Sequence, residues 1–249
     1  MKLSDLVFLD TETTGNDTND RLCQLAYKFH GQDVDKMFSE IYKPPIPISI
    51  ESMAVHHITE RMVADKAEFK NADIYNSVKD LLEGQSTVLI AHNAPFDMAM
   101  LKKEDIVPTH FIDTLKLIRH FDPNMKIKRH NLQFLRYFLK IDEDITTEIQ
   151  AHDAKSDVII LELLFDRLYK KAQNLYHLND EEETIDKLVE LSTKPAFIGK
   201  FAFGKYVGQQ VEDVVKIDPQ YINWLYRQKQ QSQQDETDWI YTLEKVLNR

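Results

Sequence analysis

Short apolar runs alternate with longer amphipathic stretches over the first two thirds of the chain. Leu6 to Leu9, Leu22 to Phe29 and Phe38 to Tyr42 read as three successive strands, the last two joined across His30-Gly31-Gln32 and antiparallel. Helical signals run through Ser49 to Leu82 with a break near Ile58 and Thr59. A buried strand Val88 to Ala91, a helix from about Phe96 to Glu104, a strand His110 to Ile112 and further helices complete the pattern. Such alternation predicts an α/β unit, a mixed sheet with helices on both sides.

The texture changes after residue 178. Asn179 to Glu183 is acidic, and although Asp186 to Leu191 can continue as a helix, the stretch to Pro195 reads as a linker. From Ala196 to Gly208, aromatic residues alternate with smaller ones and three glycines, which suits a tight hairpin. Asp218-Pro219 reads as the N-cap and first position of a helix carrying Tyr221, Ile222, Trp224 and Leu225. A last helix is expected over Thr237 to Leu247, with Gln228 to Gln234 as a loop or frayed end. The expected division is 1–178, an acidic linker 179–195, and a small α+β module 196–249.

Composition narrows the class. An apolar fraction of 43%, with 13 Phe and 10 Tyr, supports a packed core. No apolar run approaches the roughly 18 residues of a membrane span, and Met1 to Asp5 carries no signal-peptide pattern, so the expected location is cytoplasmic. The single Cys23 has no cysteine partner for a disulfide or a zinc site and reads as a small buried hydrophobe.

The chemistry lies in three acidic segments. In Leu9-Asp10-Thr11-Glu12, residues i and i+2 of a strand share a face, so the two carboxylates converge and repel unless cations compensate. Hard divalent ions are the simplest compensation. His92-Asn93-Ala94-Pro95-Phe96-Asp97 places another carboxylate at a strand-to-helix junction. His152 and Asp157 lie five apart at the start of a long apolar helix.

This order of motifs, Asp-x-Glu, then Asn-x-x-Phe-Asp, then His-x-x-x-x-Asp, resembles the DnaQ-like, DEDDh family of 3'-to-5' exonucleases over about residues 5 to 172. Thr13-Thr14-Gly15, Val55-His56-His57-Ile58-Thr59 and Asp113-Thr114-Leu115 fit the same pattern. The resemblance implies a ribonuclease H-like fold and two Mg²⁺ or Mn²⁺ ions held by Asp10, Glu12, Asp97 and Asp157. It implies His152 as general base, and Thr13, Val55, His56, Asn93 and Phe96 around the terminal nucleotide. His57 stands where the family commonly has Gly, which puts the local turn in question. Phe203-Gly204-Lys205-Tyr206-x-Gly208 and Asp218-Pro219-x-Tyr221-Ile222-x-Trp224 resemble the C-terminal module of exonuclease X-like proteins. Its aromatics serve either a core or a base-stacking platform.

The expected reaction is metal-dependent release of nucleoside monophosphates from 3' ends, of single-stranded DNA ahead of RNA. The alternatives are RNA 3'-end trimming or a proofreading subunit that docks a polymerase through the module. A net charge of −10 is unlike that of a protein with a long basic nucleic-acid track, so contact with the strand is expected to be short. Lys126, Lys128 and Arg129 either grip the strand or form a solvated loop.

Overall fold

The computed structural model describes residues 1–145, 154–232 and 236–249. Its strands are β1 (Leu6–Thr13), β2 (Leu22–Phe29), β3 (Phe38–Ile41), β4 (Val88–Ala91) and β5 (His110–Asp113). Between β3 and β4 lie helices α1 (Ile50–His56), α2 (Glu60–Val63) and α3 (Tyr75–Leu82), and between β4 and β5 lies α4 (Ala94–Lys103). Then follow α5 (Thr114–Phe121), α6 (Leu132–Phe138), α7 (Ala154–Tyr176), α8 (Glu181–Thr193), α9 (Val211–Ile217), α10 (Pro219–Gln230) and α11 (Thr237–Val246).

Two compact units arise. The first comprises residues 1–114 and 131–189, the second residues 115–130 and 190–249. The sheet of the first unit has the order β3-β2-β1-β4-β5. β2 is antiparallel to β1 and β3, whereas β1, β4 and β5 are parallel, which makes it mixed. Alternation along β1 sorts its side chains into two layers. Val7 and Leu9 join a core with Leu82 of α3 and Leu101 of α4. Phe8 turns the other way, edge-on to Phe165 of α7 with ring centres 5.4 Å apart. Cys23 lies fully buried in β2, and burial pushes its thiol up to about 12.

The second unit packs Phe201, Tyr206, Val211, Val214, Ile222, Leu225, Trp239 and Leu243 around one core, with Met125 from residues 115–130 against it. Three features differ from the sequence reading. The acidic stretch 179–195 is mostly helix α8: Glu181, Glu182 and Glu183 fill its first turn, where negative charge complements the helix dipole, and Asp180 Oδ1 accepts the Glu183 amide at 3.0 Å. Residues 115–130 group with the C-terminal region, so the units are not divided at a single point in the chain. The aromatic and glycine-rich segment closes on a single antiparallel bridge, Lys200 to Gln210, with Gly204 and Gly208 at positive φ. Backbone bonds from Gly208 to Phe201 and from Phe201 to Gln209 bend it tightly and leave no length for paired strands.

Candidate active site

β1 has eight residues and β4 has four, and their parallel pairing stops at Phe8 and Ile90. The end of β1 that carries Asp10 to Thr13 therefore extends beyond its parallel neighbour, at the carboxyl ends of the parallel strands, where open α/β sheets form their binding crevices. Asp10 and Glu12 share a face with Phe8, the face covered by α7. Asp157, in the first turn of α7, meets them there: the three residues each offer an oxygen, all within 4.8 Å of one another. Asp157 is buried, and Asp10 and Glu12 are half-buried. Clustered carboxylate oxygens of this kind suit a hard divalent cation.

Asp97 stands apart from that cluster for a reason written in the strand. Thr11, between the two acids, points to the opposite layer, where its hydroxyl donates to Asp97 Oδ1 at 2.7 Å. Burial pushes the Asp97 carboxyl up to about 7. Hydrogen bonds from Thr11 and from its own backbone amide pull against that shift, and the Asp113 charge adds to it. Asn93 precedes α4 in the left-handed region at φ 72°, and its amide donates to the buried Asp113 at 3.0 Å. That bond anchors the turn that delivers Asp97. Phe96 is half-buried, and its amide closes the same turn onto the Asn93 carbonyl at 2.9 Å.

A second anchor comes from α1. His56 is buried, with Nδ1 accepting the Ile58 amide at 3.0 Å and Nε2 facing the Thr13 carbonyl at 3.2 Å. An acceptor at Nδ1 places the proton on Nε2, so a neutral imidazole ties the end of α1 to the end of β1. Burial lowers the basicity of the ring and favours this neutral form. The Thr13 hydroxyl donates to the Gly15 carbonyl at 2.8 Å, while Val55 beside His56 remains exposed. His57 closes α1 at φ 63° and ψ 10°, the left-handed conformation that glycine adopts most easily, so the turn forms despite the departure from Gly.

Of the residues singled out in the sequence, Asp10, Glu12 and Asp157 are brought together, Thr13 and His56 touch, and Asp97 lies across the strand. His152 falls outside the described residues. Two further contributors carry no sequence signal of their own. Thr11 is an ordinary strand residue until the opposite layer is known. Gln133, on α6, donates from Nε2 to Asp157 Oδ1 at 2.6 Å. Lys126, Lys128 and Arg129 are exposed in the second unit, on a loop whose Lys126 and Ile127 amides both donate to Asp122 at 2.8 Å.

Three converging carboxylates at a strand end, under the first turn of a long helix, define a site of the metal-dependent hydrolase kind. Comparison with known proteins gives the family. The exonuclease family model matches residues 7–165, and a model described as exodeoxyribonuclease X-like C-terminal matches residues 201–230. Exodeoxyribonuclease 10 of Escherichia coli (strain K12) is 30% identical over 223 residues, covering 89% of this chain and 90% of that protein. DNA polymerase III subunit epsilon of Haemophilus influenzae is 31% identical over 205 residues, covering 72% of each. The structure of exonuclease X in complex with 5' overhanging duplex DNA superposes with a TM-score of 0.56 at 26% identity, covering 75% of this chain and 99% of that one. The chain belongs to the exonuclease family and is a 3'-to-5' exonuclease by class. Among the described residues no helix is long and apolar enough to cross a membrane.

Proposed function

We propose that this protein is a cytoplasmic exonuclease that removes nucleoside monophosphates from the 3' ends of DNA, using two divalent ions, Mg²⁺ or Mn²⁺. The observation that carries the reading is the convergence of Asp10, Glu12 and Asp157 within 4.8 Å at the carboxyl end of β1. These three residues form the centre of the ion-binding set, and Asp97 contributes the fourth carboxylate from the other side of the strand. Divalent ions bound there supply positive charge for the scissile phosphate and activate water as nucleophile.

The protein's own groups do the rest. His152 is the general base of this reading, since an imidazole, whose unperturbed pKa is near 6.5, can accept the proton of the attacking water around neutral pH. Glu12 also holds the terminal 3' hydroxyl. Thr13, Val55, His56, Asn93 and Phe96 shape the pocket for the last nucleotide, with His56 and the Asn93 turn fixing the two walls. The choice of DNA rests on the likeness to exodeoxyribonuclease 10 and on the C-terminal match. Trp224, more than half exposed on α10, gives the second unit an aromatic face for the strand.

Digestion of 5'-labelled oligonucleotides tests this directly, with single-stranded DNA, 5'-overhanging duplex DNA and single-stranded RNA run side by side. A ladder shortening from the 3' end of DNA is expected with Mg²⁺ or Mn²⁺. It should vanish with EDTA and in Asp10→Asn, Asp97→Asn, Asp157→Asn and His152→Ala variants. Faster loss of RNA would make the protein a 3'-end trimming ribonuclease instead. The likeness to polymerase III subunit epsilon favours one further reading, a proofreading subunit. Co-purification with a polymerase would support it.

A further inference from the structure

We infer that Gln133 is a positioning residue for Asp157, holding that carboxylate in the orientation that cation binding requires. The inference rests on the proposed ion-binding role of the Asp10, Glu12 and Asp157 cluster. Gln133 lies on α6, whose start is fixed by the Asn131 side chain accepting the Phe134 amide at 2.8 Å. From there its Nε2 reaches Asp157 Oδ1 at 2.6 Å. A carboxylate only accepts, so the amide must turn its nitrogen toward Asp157 and its oxygen away. That oxygen, Oε1, is buried and makes no hydrogen bond among the described residues.

The amide thus directs its donor at one member of the acidic cluster, in the geometry that would hold one carboxylate oxygen in place. The chemistry of the side chain also fits. A lysine or arginine at this position would neutralise Asp157 and oppose cation binding, and a carboxylate would repel it. A neutral amide restrains one oxygen of Asp157 and leaves the charge of the cluster intact. Groups that orient metal-binding carboxylates in this manner typically change metal affinity or activity by about 10- to 100-fold when removed.

Gln133→Leu and Gln133→Met, made in the full-length chain, remove the donor and substitute an apolar side chain of similar size that suits a helix. Mn²⁺ binding is read from the electron paramagnetic resonance signal of free Mn²⁺, without substrate. Oligonucleotide digestion is measured separately as a function of Mg²⁺ concentration. The expected result is an Mn²⁺ dissociation constant raised about 10- to 100-fold. A matching shift of the Mg²⁺ midpoint should follow, with the rate restored to within a few-fold at saturating Mg²⁺. Mn²⁺ affinity equal to wild type in a folded variant, with or without a lower melting temperature, would make Gln133 a mere tie between α6 and α7 and overturn the inference. Should the leucine variant fail to fold, the methionine variant decides. Wild-type protein that binds no Mn²⁺ would instead overturn the proposed ion site itself, a failure distinct from unchanged binding in the variants.

Discussion

At φ 63° and ψ 10°, the exposed His57 ends α1 in a region that disfavours a side chain with a Cβ, next to the His56 ring that holds the end of β1. Left-handed backbone costs a non-glycine residue roughly 1–2 kcal/mol, part of which glycine gives back as unfolded-state freedom. His57→Gly should therefore raise stability by about 0.5–1 kcal/mol, seen as a higher urea midpoint with unchanged slope. A lower midpoint would mean that the imidazole makes a stabilising contact. Thr11 offers the opposite case. Thr11→Val keeps the shape but removes the hydroxyl donor to Asp97, and in metal-free protein at about pH 8.5, where that carboxyl is ionised, loss of a hydrogen bond to a charged group should cost about 1.5–3 kcal/mol. Equal urea midpoints for the variant and wild type would show that Asp97 does not depend on that hydroxyl. That Asp10 and Glu12 share a face was legible from their spacing because strand periodicity is a local fact, whereas Asp157, far along the chain on α7, was joined to them only through the family resemblance. Thr11 and Gln133 were not legible, because each gains its role from a partner far away in sequence, 86 and 24 residues distant respectively.

Elements with strong periodicity were read closely: β2 and β4 coincide with their apolar runs, and α10 begins at Pro219 under the Asp218 cap. The C-terminal extent of β1 was missed, because Asp10 and Glu12 look like the end of a strand when burial of apolar residues is the only guide. In the fold, antiparallel pairing to β2 continues as far as Thr13 and Leu22. The start of α8 was missed for the converse reason, since three successive acids signal a helix N-terminus only when the residues after them are known to be buried. Between β2 and α7, a titrating contact can be tested. His30, just beyond β2, bonds Asp166 of α7 at 3.0 Å, and that bond raises the His30 pKa against the opposing effect of burial. A histidine pKa raised in the folded state gives stability that is complete below the unfolded value near 6.5 and is lost as pH rises through the folded value. Wild-type stability relative to Asp166→Asn should thus be greatest at about pH 6 and shrink toward pH 8. Comparison with the variant cancels the opposite trend from His56 and His130, whose pKa values burial lowers. A wild-type advantage that does not change between those two pH values would rule the contact out as a source of pH dependence.

For the molecule as a whole, the interleaved units govern which experiments on the C-terminal region are interpretable. Within the second unit, Asp238 is almost fully buried and accepts from Lys116 at 2.5 Å, Arg119 at 2.6 Å and the Ala196 amide at 2.8 Å. Gly199 passes so close to the Pro123 carbonyl that a Cβ there would collide with it. Residues 115–130 thus belong to this unit by packing as well as by charge, and a chain cut at residue 195 would leave Lys116 and Arg119 without their carboxylate and Met125 without its core. Asp238→Ala alone should cost about 3–5 kcal/mol, because it strands a buried lysine. A truncation at residue 195 should melt lower still, and its loss of activity would say nothing about strand binding. The exposed Trp224 gives the cleaner test. Tyr206 is committed to the core, but Trp224 touches Tyr221 with ring centres 5.6 Å apart and leaves its outer face to solvent. Trp224→Ala should leave folding nearly unchanged and weaken single-stranded oligonucleotide binding by roughly 5- to 150-fold, the value of about one stacked base, while hydrolysis of a dinucleotide proceeds at the wild-type rate. Oligonucleotide affinity that does not change would show that Trp224 does not stack on the strand.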